Sequence, residues 1–126
     1  MKTSNIEVFD HDPLLNWHKN NVCLLGDSAH ASLPTSGQGA CQAIEDAWSF
    51  ASSLEKSNTI KEAFNDFRRD RFEKTTMITM AGRELARSLF NEDEMYCEER
   101  NEKAKTTDYE SASQNIAMLW SRNLSA

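Results

Sequence analysis

Two clusters of residues in the first third of this 126-residue chain have the types and spacing that chemistry requires. Gly26-Asp27-Ser28 follows the apolar run Val22–Leu25, and Gly37-Gln38-Gly39 comes shortly after it. A serine behind a strand can act as a hydrolytic nucleophile, but it needs a histidine base brought in from a distant segment. All three histidines lie within residues 11–30, and His30 is only two residues from Ser28. A complete hydrolase site is therefore disfavoured.

A ligand-binding interpretation of the same residues is stronger. Gly37-Gln38-Gly39 is one glycine short of the dinucleotide fingerprint. A Gly-x-Gly directly before a helix nevertheless lets the backbone approach a ligand, and the first N–H groups of the helix then face an electron-rich group. Asp27, at the carboxyl end of a strand, could accept hydrogen bonds from sugar hydroxyls. A plain loop-to-helix turn and a local turn cap remain open alternatives for these residues.

The cysteines give no evidence of a metal site or a disulfide framework. Cys23, Cys41 and Cys97 form no C-x-x-C pair and are odd in number, so we expect no zinc and no bound metal. Cys41 would lie near a helix start, where a thiol can be reactive, but a small packing residue is the simpler interpretation. Cys23 is most simply a core residue of a strand.

The elements that must position the two clusters are predicted from hydrophobic spacing. Residues 6–9 could form a short strand, and Val22–Leu25 predicts a strand buried on both faces, as in a parallel sheet. A loop then spans Gly26–Gly39. The helix that follows carries one apolar stripe, with the polar residues Gln42, Glu45, Asp46, Ser49 and Ser53 on its other side. That stripe consists of Ala40, Ala43, Ile44, Ala47, Trp48, Ala51 and Leu54.

The second half of the chain is predicted to be helical. Thr59 and Glu62 fit a capping box, and the helical pattern continues to Phe90 without a proline. Such a helix would be about 48 Å long, so it should break near residues 75–76 or 82, or else belong to a larger body. Residues 92–110 hold eight acids against three bases, which is typical of a solvated helix face or a linker. A short closing helix should follow, anchored by Trp120.

Composition excludes several classes of protein. The chain is 39% hydrophobic and 27% charged, as expected of a globular protein, and no run approaches the ~20 apolar residues of a membrane span. The net charge of −6 argues against nucleic acid as the main partner, because phosphates would be repelled. The opening residues do not resemble a signal peptide, so the cytoplasm is the expected location.

One long constellation is more specific than its parts. It combines the apolar strand, Gly26-Asp27-Ser28-Ala29-His30, Pro34 seven residues after the aspartate, Gly37-Gln38-Gly39, and a helix containing Glu45-Asp46-Ala47. It resembles the second flavin-contacting motif of the class A FAD-dependent aromatic-ring monooxygenases, the relatives of p-hydroxybenzoate hydroxylase, salicylate hydroxylase and kynurenine monooxygenase. The resemblance is dense over residues 17–54, loose over 59–90, where Phe67-Arg68-Arg69 takes part, and not evident beyond residue 91.

The resemblance implies a role for each matching residue. Gly26 and Asp27 would bind FAD, with Asp27 hydrogen-bonded to the ribityl hydroxyls, and Pro34 would lie beside the isoalloxazine ring. The run Gly37, Gln38, Gly39, Ala40 and Cys41 would offer backbone N–H groups to the flavin. His30 would be structural, and no catalytic residue is assigned.

The resemblance also implies the fold and the activity. We expect a single partial domain over residues 1–126, mainly α with one or two short strands. It would be the C-terminal segment of an α/β, Rossmann-like FAD-binding fold, divided into 17–54, 59–90 and 91–126. The complete enzyme would hydroxylate an aromatic or related ring with NAD(P)H and O₂, while this segment, which lacks the N-terminal Gly-x-Gly-x-x-Gly unit, would be inactive alone. Alternatives are a stand-alone helical interaction or regulatory module, a subunit completing a separate N-terminal chain, and self-association.

Overall fold

The computed structural model describes residues 7–121 and is mainly helical. Two strands of two residues each, β1 (His18–Lys19) and β2 (Val22–Cys23), precede five helices. These helices are α1 (Asp27–His30), α2 (Gly39–Lys56), α3 (Ile60–Leu89), α4 (Glu94–Thr106) and α5 (Tyr109–Trp120), with a 3-10 turn at Pro34–Ser36. The predicted fold class, mainly α with one or two short strands, is confirmed.

The strands differ from the prediction. β1 and β2 form an antiparallel hairpin in which His18 pairs with Cys23, and Val22 is 66% exposed, so the apolar run is not a strand buried on both faces. Asn20 turns the chain with a φ of 53°, a conformation that asparagine tolerates better than most residues. Residues 7–9 form no strand, and Ile6 lies outside the described residues.

The core lies between the hairpin, α1 and the first half of α3. Trp17, Ala29 and Phe67 are buried together, and the Trp17 and Phe67 rings lie 5.5 Å apart. The Trp17 indole N–H donates to the Leu14 carbonyl at 2.9 Å, so its polar atom is satisfied. This core fixes the hairpin, and therefore the segment after it, against α3.

α3 is one unbroken helix of 30 residues, about 45 Å long at 1.5 Å per residue. The capping box at its start is confirmed, since Thr59 Oγ1 accepts from the Glu62 N–H at 3.2 Å and the Glu62 carboxylate accepts from the Thr59 N–H at 3.1 Å. Neither expected break occurs. At Gly82 the helix instead contacts the preceding loop, because the Thr35 hydroxyl donates to the Gly82 carbonyl at 2.9 Å.

α2 has the predicted extent. Unlike a typical surface helix, however, it buries its polar side and exposes its apolar side. Gln42, Asp46 and Ser49 are its buried residues, whereas Ile44 and Trp48 are 71% and 69% exposed. The small apolar residues of the same stripe, Ala40, Ala43, Ala47 and Ala51, are also exposed. The polar side of α2 therefore packs on α3, and its apolar side forms an open surface, called here the outer face of α2.

The acidic region is a helix rather than a linker. α4 begins at an N-cap in which Asp93 accepts from the Tyr96 N–H at 2.8 Å, and it buries no residue. α5 is the predicted closing helix, and Trp120, the residue expected to anchor it, is 47% exposed. The contact there is polar, because the Lys74 ammonium donates to the Trp120 carbonyl at 2.6 Å. Within residues 7–121, no helix combines the length and the apolar character that crossing a membrane requires.

Candidate functional site

The turn that carries Asp27 begins at a buried glycine. Gly26 has a φ of +57°, a region that residues with a side chain rarely adopt. A Cβ at this position would lie 3.3 Å from the Ala43 Cβ on α2. Gly26 is therefore required both for the backbone conformation and for the close contact with α2. The predicted site residue Gly26 shapes the turn.

Asp27 is brought next to the start of α2. It is the exposed first residue of α1, and its Oδ1 lies 3.7 Å from the position that a Cβ on Gly39 would occupy. Two residues that are twelve positions apart in sequence therefore meet at one exposed edge. A glycine at position 39 keeps the space beside the carboxylate open.

The start of α2 has the properties of an anion-facing helix terminus. Gln38 is its N-cap and makes no side-chain capping bond, and no acid lies in the first turn. The first bond within the helix runs from the Gln42 N–H to the Gln38 carbonyl at 3.0 Å, so helix geometry leaves the N–H groups of Gly39, Ala40 and Cys41 without intrahelical acceptors. These donors, with the positive end of the helix dipole, favour an electron-rich group.

Pro34 lies on a loop that α3 supports. It opens the 3-10 turn and is exposed, while the neighbouring Thr35 is hydrogen-bonded to α3 at Gly82. Gly37 closes the turn with a φ of 67°, and its N–H donates to the Pro34 carbonyl at 3.0 Å. The loop thus leads directly into Gln38 and α2, and all eight predicted site residues lie on the segment from Gly26 to Cys41.

A buried ionic cluster behind this segment was not predicted. Asp46 is 0% exposed and Arg71 1% exposed, and the Arg71 Nε donates to Asp46 Oδ1 at 2.8 Å. Asp46 Oδ2 accepts from the Gly26 N–H at 2.8 Å and from His30 Nε2 at 2.6 Å. Burial alone would raise the pKa of Asp46, but these hydrogen bonds and the charges of its partners lower it. Asp46 is therefore a carboxylate in the interior of the protein.

Further polar groups complete the surroundings of Arg71. Its guanidinium donates to Glu45 Oε2 at 2.6 Å and to Gln42 Oε1 at 2.7 Å, and the Lys74 ammonium donates to the same Glu45 oxygen at 2.7 Å. The buried cations and carboxylates of α2 and α3 thus compensate one another, as buried charges must. The available sequence signal was the spacing of Gln42, Glu45, Asp46 and Ser49, which places them together on the side of α2 opposite its apolar stripe.

The region 67–69 contributes to packing rather than to this cluster. Phe67 is buried in the core, the Arg68 guanidinium lies 4.2 Å from the centroid of the Phe72 ring, and the exposed Arg69 pairs with Asp66 one helical turn away. The arginine that belongs to the buried cluster is Arg71.

No hydrolytic or metal chemistry is assembled at the segment. The Ser28 hydroxyl donates to the Leu25 carbonyl at 2.7 Å, and His30 is bound to Asp46 instead. Among residues 7–121, no group of three or more metal-ligating side chains occurs. All three cysteines are free. Burial, together with the charge of Asp46, raises the pKa of the Cys23 thiol, which therefore stays protonated and packs against the core.

Comparison with known proteins identifies relatives of this chain. The sequence pattern of the FAD binding domain family matches residues 10–79. The chain is 53% identical over 51 residues to the chloroplastic zeaxanthin epoxidase of Oryza sativa subsp. japonica, covering 40% of this chain and 8% of that protein. It is 36% identical over 75 residues to the FAD-dependent urate hydroxylase of Mycolicibacterium vanbaalenii, covering 56% of this chain and 19% of that protein.

A solved structure extends the likeness in fold. Klebsiella pneumoniae HpxO, crystallised with FAD and uric acid, superimposes with a TM-score of 0.83 at 23% identity, covering 95% of this chain and 31% of that one. Since 95% of the chain is covered, the likeness in fold continues into the helices after residue 91, where no sequence resemblance is evident. The chain spans less than a fifth of the length of the two curated relatives.

Proposed function

This chain belongs to the FAD binding domain family, and we propose that residues 26–41 bind the flavin and ribityl side of FAD in a flavoprotein monooxygenase. The whole enzyme would hydroxylate an aromatic or related ring with NAD(P)H and O₂, and FAD supplies the redox chemistry when bound. One relative is named a urate hydroxylase, and HpxO was crystallised with uric acid. Both observations support a ring substrate. This chain would bind and orient the cofactor.

The single observation that carries the proposal is the meeting of Asp27 with the uncapped start of α2. Asp27 would accept hydrogen bonds from ribityl hydroxyls. The N–H groups of Gly39, Ala40 and Cys41, with Gln38 before them, would donate to the electron-rich edge of the ring system, where a helix N-terminus stabilises negative charge.

The loop before α2 would border the ring. Pro34 is exposed on this loop and would lie beside the isoalloxazine, while Gly37 provides the left-handed turn that leads into α2. The residues fit FAD because the helix start has no competing side-chain cap and because glycine keeps the space beside the Asp27 carboxylate free.

A titration of the chain with FAD, followed by flavin fluorescence, tests the proposal. We expect saturable binding that weakens at least about ten-fold in Asp27→Asn, because a charged acceptor with two oxygens is replaced by a neutral amide with one acceptor oxygen. Glu102→Gln is the matched control, since it also removes one negative charge but from the exposed surface of α4. Absence of binding by the well-folded chain, or equal weakening in both variants, would contradict the proposal.

The outer face of α2 supports a second part of the proposal, namely that other polypeptide covers it. Ile44 and Trp48 are large apolar residues exposed next to each other on one helix face, which is unusual for an isolated protein, and HpxO has more than twice as much chain outside the matched 31%. The covering polypeptide would be the remaining part of the flavoprotein, in the same or a separate chain. Without it, we expect copies of this chain to associate through this face.

Sedimentation velocity distinguishes this from a stand-alone helical module. The wild-type chain should form concentration-dependent oligomers, and Trp48→Glu should shift it toward monomer. Met118→Glu is the control, since Met118 is comparably exposed but lies on α5. A wild-type chain that stays monomeric at all concentrations would favour the stand-alone module.

The three free cysteines accord with a reducing compartment, and we propose a cytoplasmic location.

A further inference from the structure

We propose that Asp46 is a positioning residue that fixes the Gly26–His30 turn, and with it Asp27, to the helix pair α2 and α3. The inference rests on the proposed function in one respect, because the value of placing Asp27 depends on its binding FAD. Asp46 itself would not touch the cofactor.

The evidence is that one buried carboxylate joins three separate elements. Oδ2 accepts from the Gly26 N–H and from His30 Nε2, which are the two ends of the turn, at 2.8 and 2.6 Å. Oδ1 accepts from the Arg71 Nε on α3 at 2.8 Å, while Asp46 itself belongs to α2. The same side chain therefore sets the distance between the turn and the start of α2.

Most other bonds of the turn are internal. The exceptions involve His11, whose Nε2 lies 3.4 Å from the Asp27 carbonyl and accepts from the Ala31 N–H at 3.2 Å, so they connect the turn to the segment before the hairpin and not to α2 or α3. The Ala29 and His30 N–H groups both donate to the Gly26 carbonyl, at 2.9 and 3.0 Å, and the Ser28 hydroxyl is bonded to Leu25. Such bonds preserve the shape of the turn, but they would move with it. The bonds to Asp46 tie this shape to α2, next to the contact between Gly26 and Ala43.

Only a carboxylate fits all three donors. An asparagine at position 46 would have one acceptor oxygen and one N–H₂ group, so a donor would face either Arg71 or the Gly26 and His30 side. A glutamate keeps the charge, but its extra methylene moves both oxygens in a packed site. Both substitutions should therefore displace or loosen the turn, and glutamate should retain the compensation of the Arg71 charge.

Amide hydrogen exchange in the full-length chain, measured separately for each peptide, tests the inference. In Asp46→Asn, exchange over residues 24–31 should accelerate at least about ten-fold, as the loss of a hydrogen bond to a charged group implies. Exchange in the middle of α3 should change much less. Glu84→Gln, an exposed carboxylate on α3 paired with Arg87, is the control and should leave both regions as in the wild type.

Two results would overturn the inference. One is unchanged exchange over residues 24–31 in Asp46→Asn; the other is an equal increase along α2 and α3, which indicates only a general structural role. If Asp46→Asn does not fold, Asp46→Glu decides by the same comparison.

A parallel FAD titration separates this inference from the proposed function. Asp46→Asn should raise the Kd for FAD at least about ten-fold while the helical circular dichroism is retained. A wild-type chain that does not bind FAD would refute the proposed function and the link from Asp46 to FAD, whereas the exchange result would still decide whether Asp46 fixes the turn. Normal FAD affinity in a variant whose turn exchanges rapidly would overturn the positioning role.

Discussion

Replacing Arg71 by methionine would remove the guanidinium that is paired with the buried Asp46 carboxylate. Arg71 donates to Asp46 Oδ1 at 2.8 Å, to Glu45 Oε2 at 2.6 Å and to Gln42 Oε1 at 2.7 Å, and it is 1% exposed. Methionine fills much of the volume but donates nothing. Removing one member of a buried ion pair costs about 3–5 kcal/mol, which is a large part of the ~5–15 kcal/mol that stabilises a typical domain.

Urea unfolding followed by circular dichroism at 222 nm measures this loss. The matched control is Arg69→Met, because Arg69 is on the same helix and its side chain is 76% exposed in an ion pair with Asp66; its effect should stay within about 0.5 kcal/mol. A double-mutant cycle with Asp46→Asn should give a coupling energy of about 1 kcal/mol or more. Equal effects of Arg71→Met and Arg69→Met would refute the claim that the buried cluster joins α2 to α3.

Three further predictions follow from the same structure. Gly26→Ala should destabilise the protein by about 1–3 kcal/mol in urea unfolding, because alanine is strained at this positive φ and its Cβ would press on Ala43; an unchanged midpoint would disprove this. At position 82 a Cβ meets Thr35 only at ordinary contact distance, 3.5 Å, so Gly82→Ala should be neutral or stabilising by up to about 1 kcal/mol. Gly82→Leu should displace the loop, seen as faster amide exchange over residues 33–37, and slow exchange there would count against the contact. Folding lowers the pKa of Asp46. The contribution of Asp46 to stability is therefore full above its unfolded pKa near 4 and is lost as the pH falls through the lower folded-state pKa. The urea midpoints measured at pH 6 and at pH 3 should differ less in Asp46→Asn than in the wild type.

Local chemistry explains what the sequence predicted correctly. The Thr59 and Glu62 capping box lies within four residues, so it could be recognised without knowing the fold. The extents of α2 and α3 follow in the same way from helical spacing and from the absence of proline. The segment proposed as the site was selected through its glycines, whose backbone requirements are local, and Gly26 and Gly37 do adopt positive φ.

The wrong predictions concern which residues are buried by other parts of the protein. Helical spacing shows that Ile44 and Trp48 share a face, but it does not show whether this chain covers that face. The burial of Asp46 depends on Arg71, which is 25 residues away, and no local pattern predicts that pairing. Similarly, the Val22–Leu25 run is apolar enough for a buried strand, yet within residues 7–121 it has only the short β1 as its partner.

The measurement that tests the central claim most directly is a map of FAD binding on the ¹⁵N-labelled chain by amide chemical shifts. We predict saturable shifts concentrated at Asp27 and at Gly39–Cys41, with lesser changes elsewhere in residues 26–41, and their loss in Asp27→Asn. Absence of any saturable shift, or shifts centred on α4 and α5 instead, would contradict the assignment of this segment as the flavin-binding site.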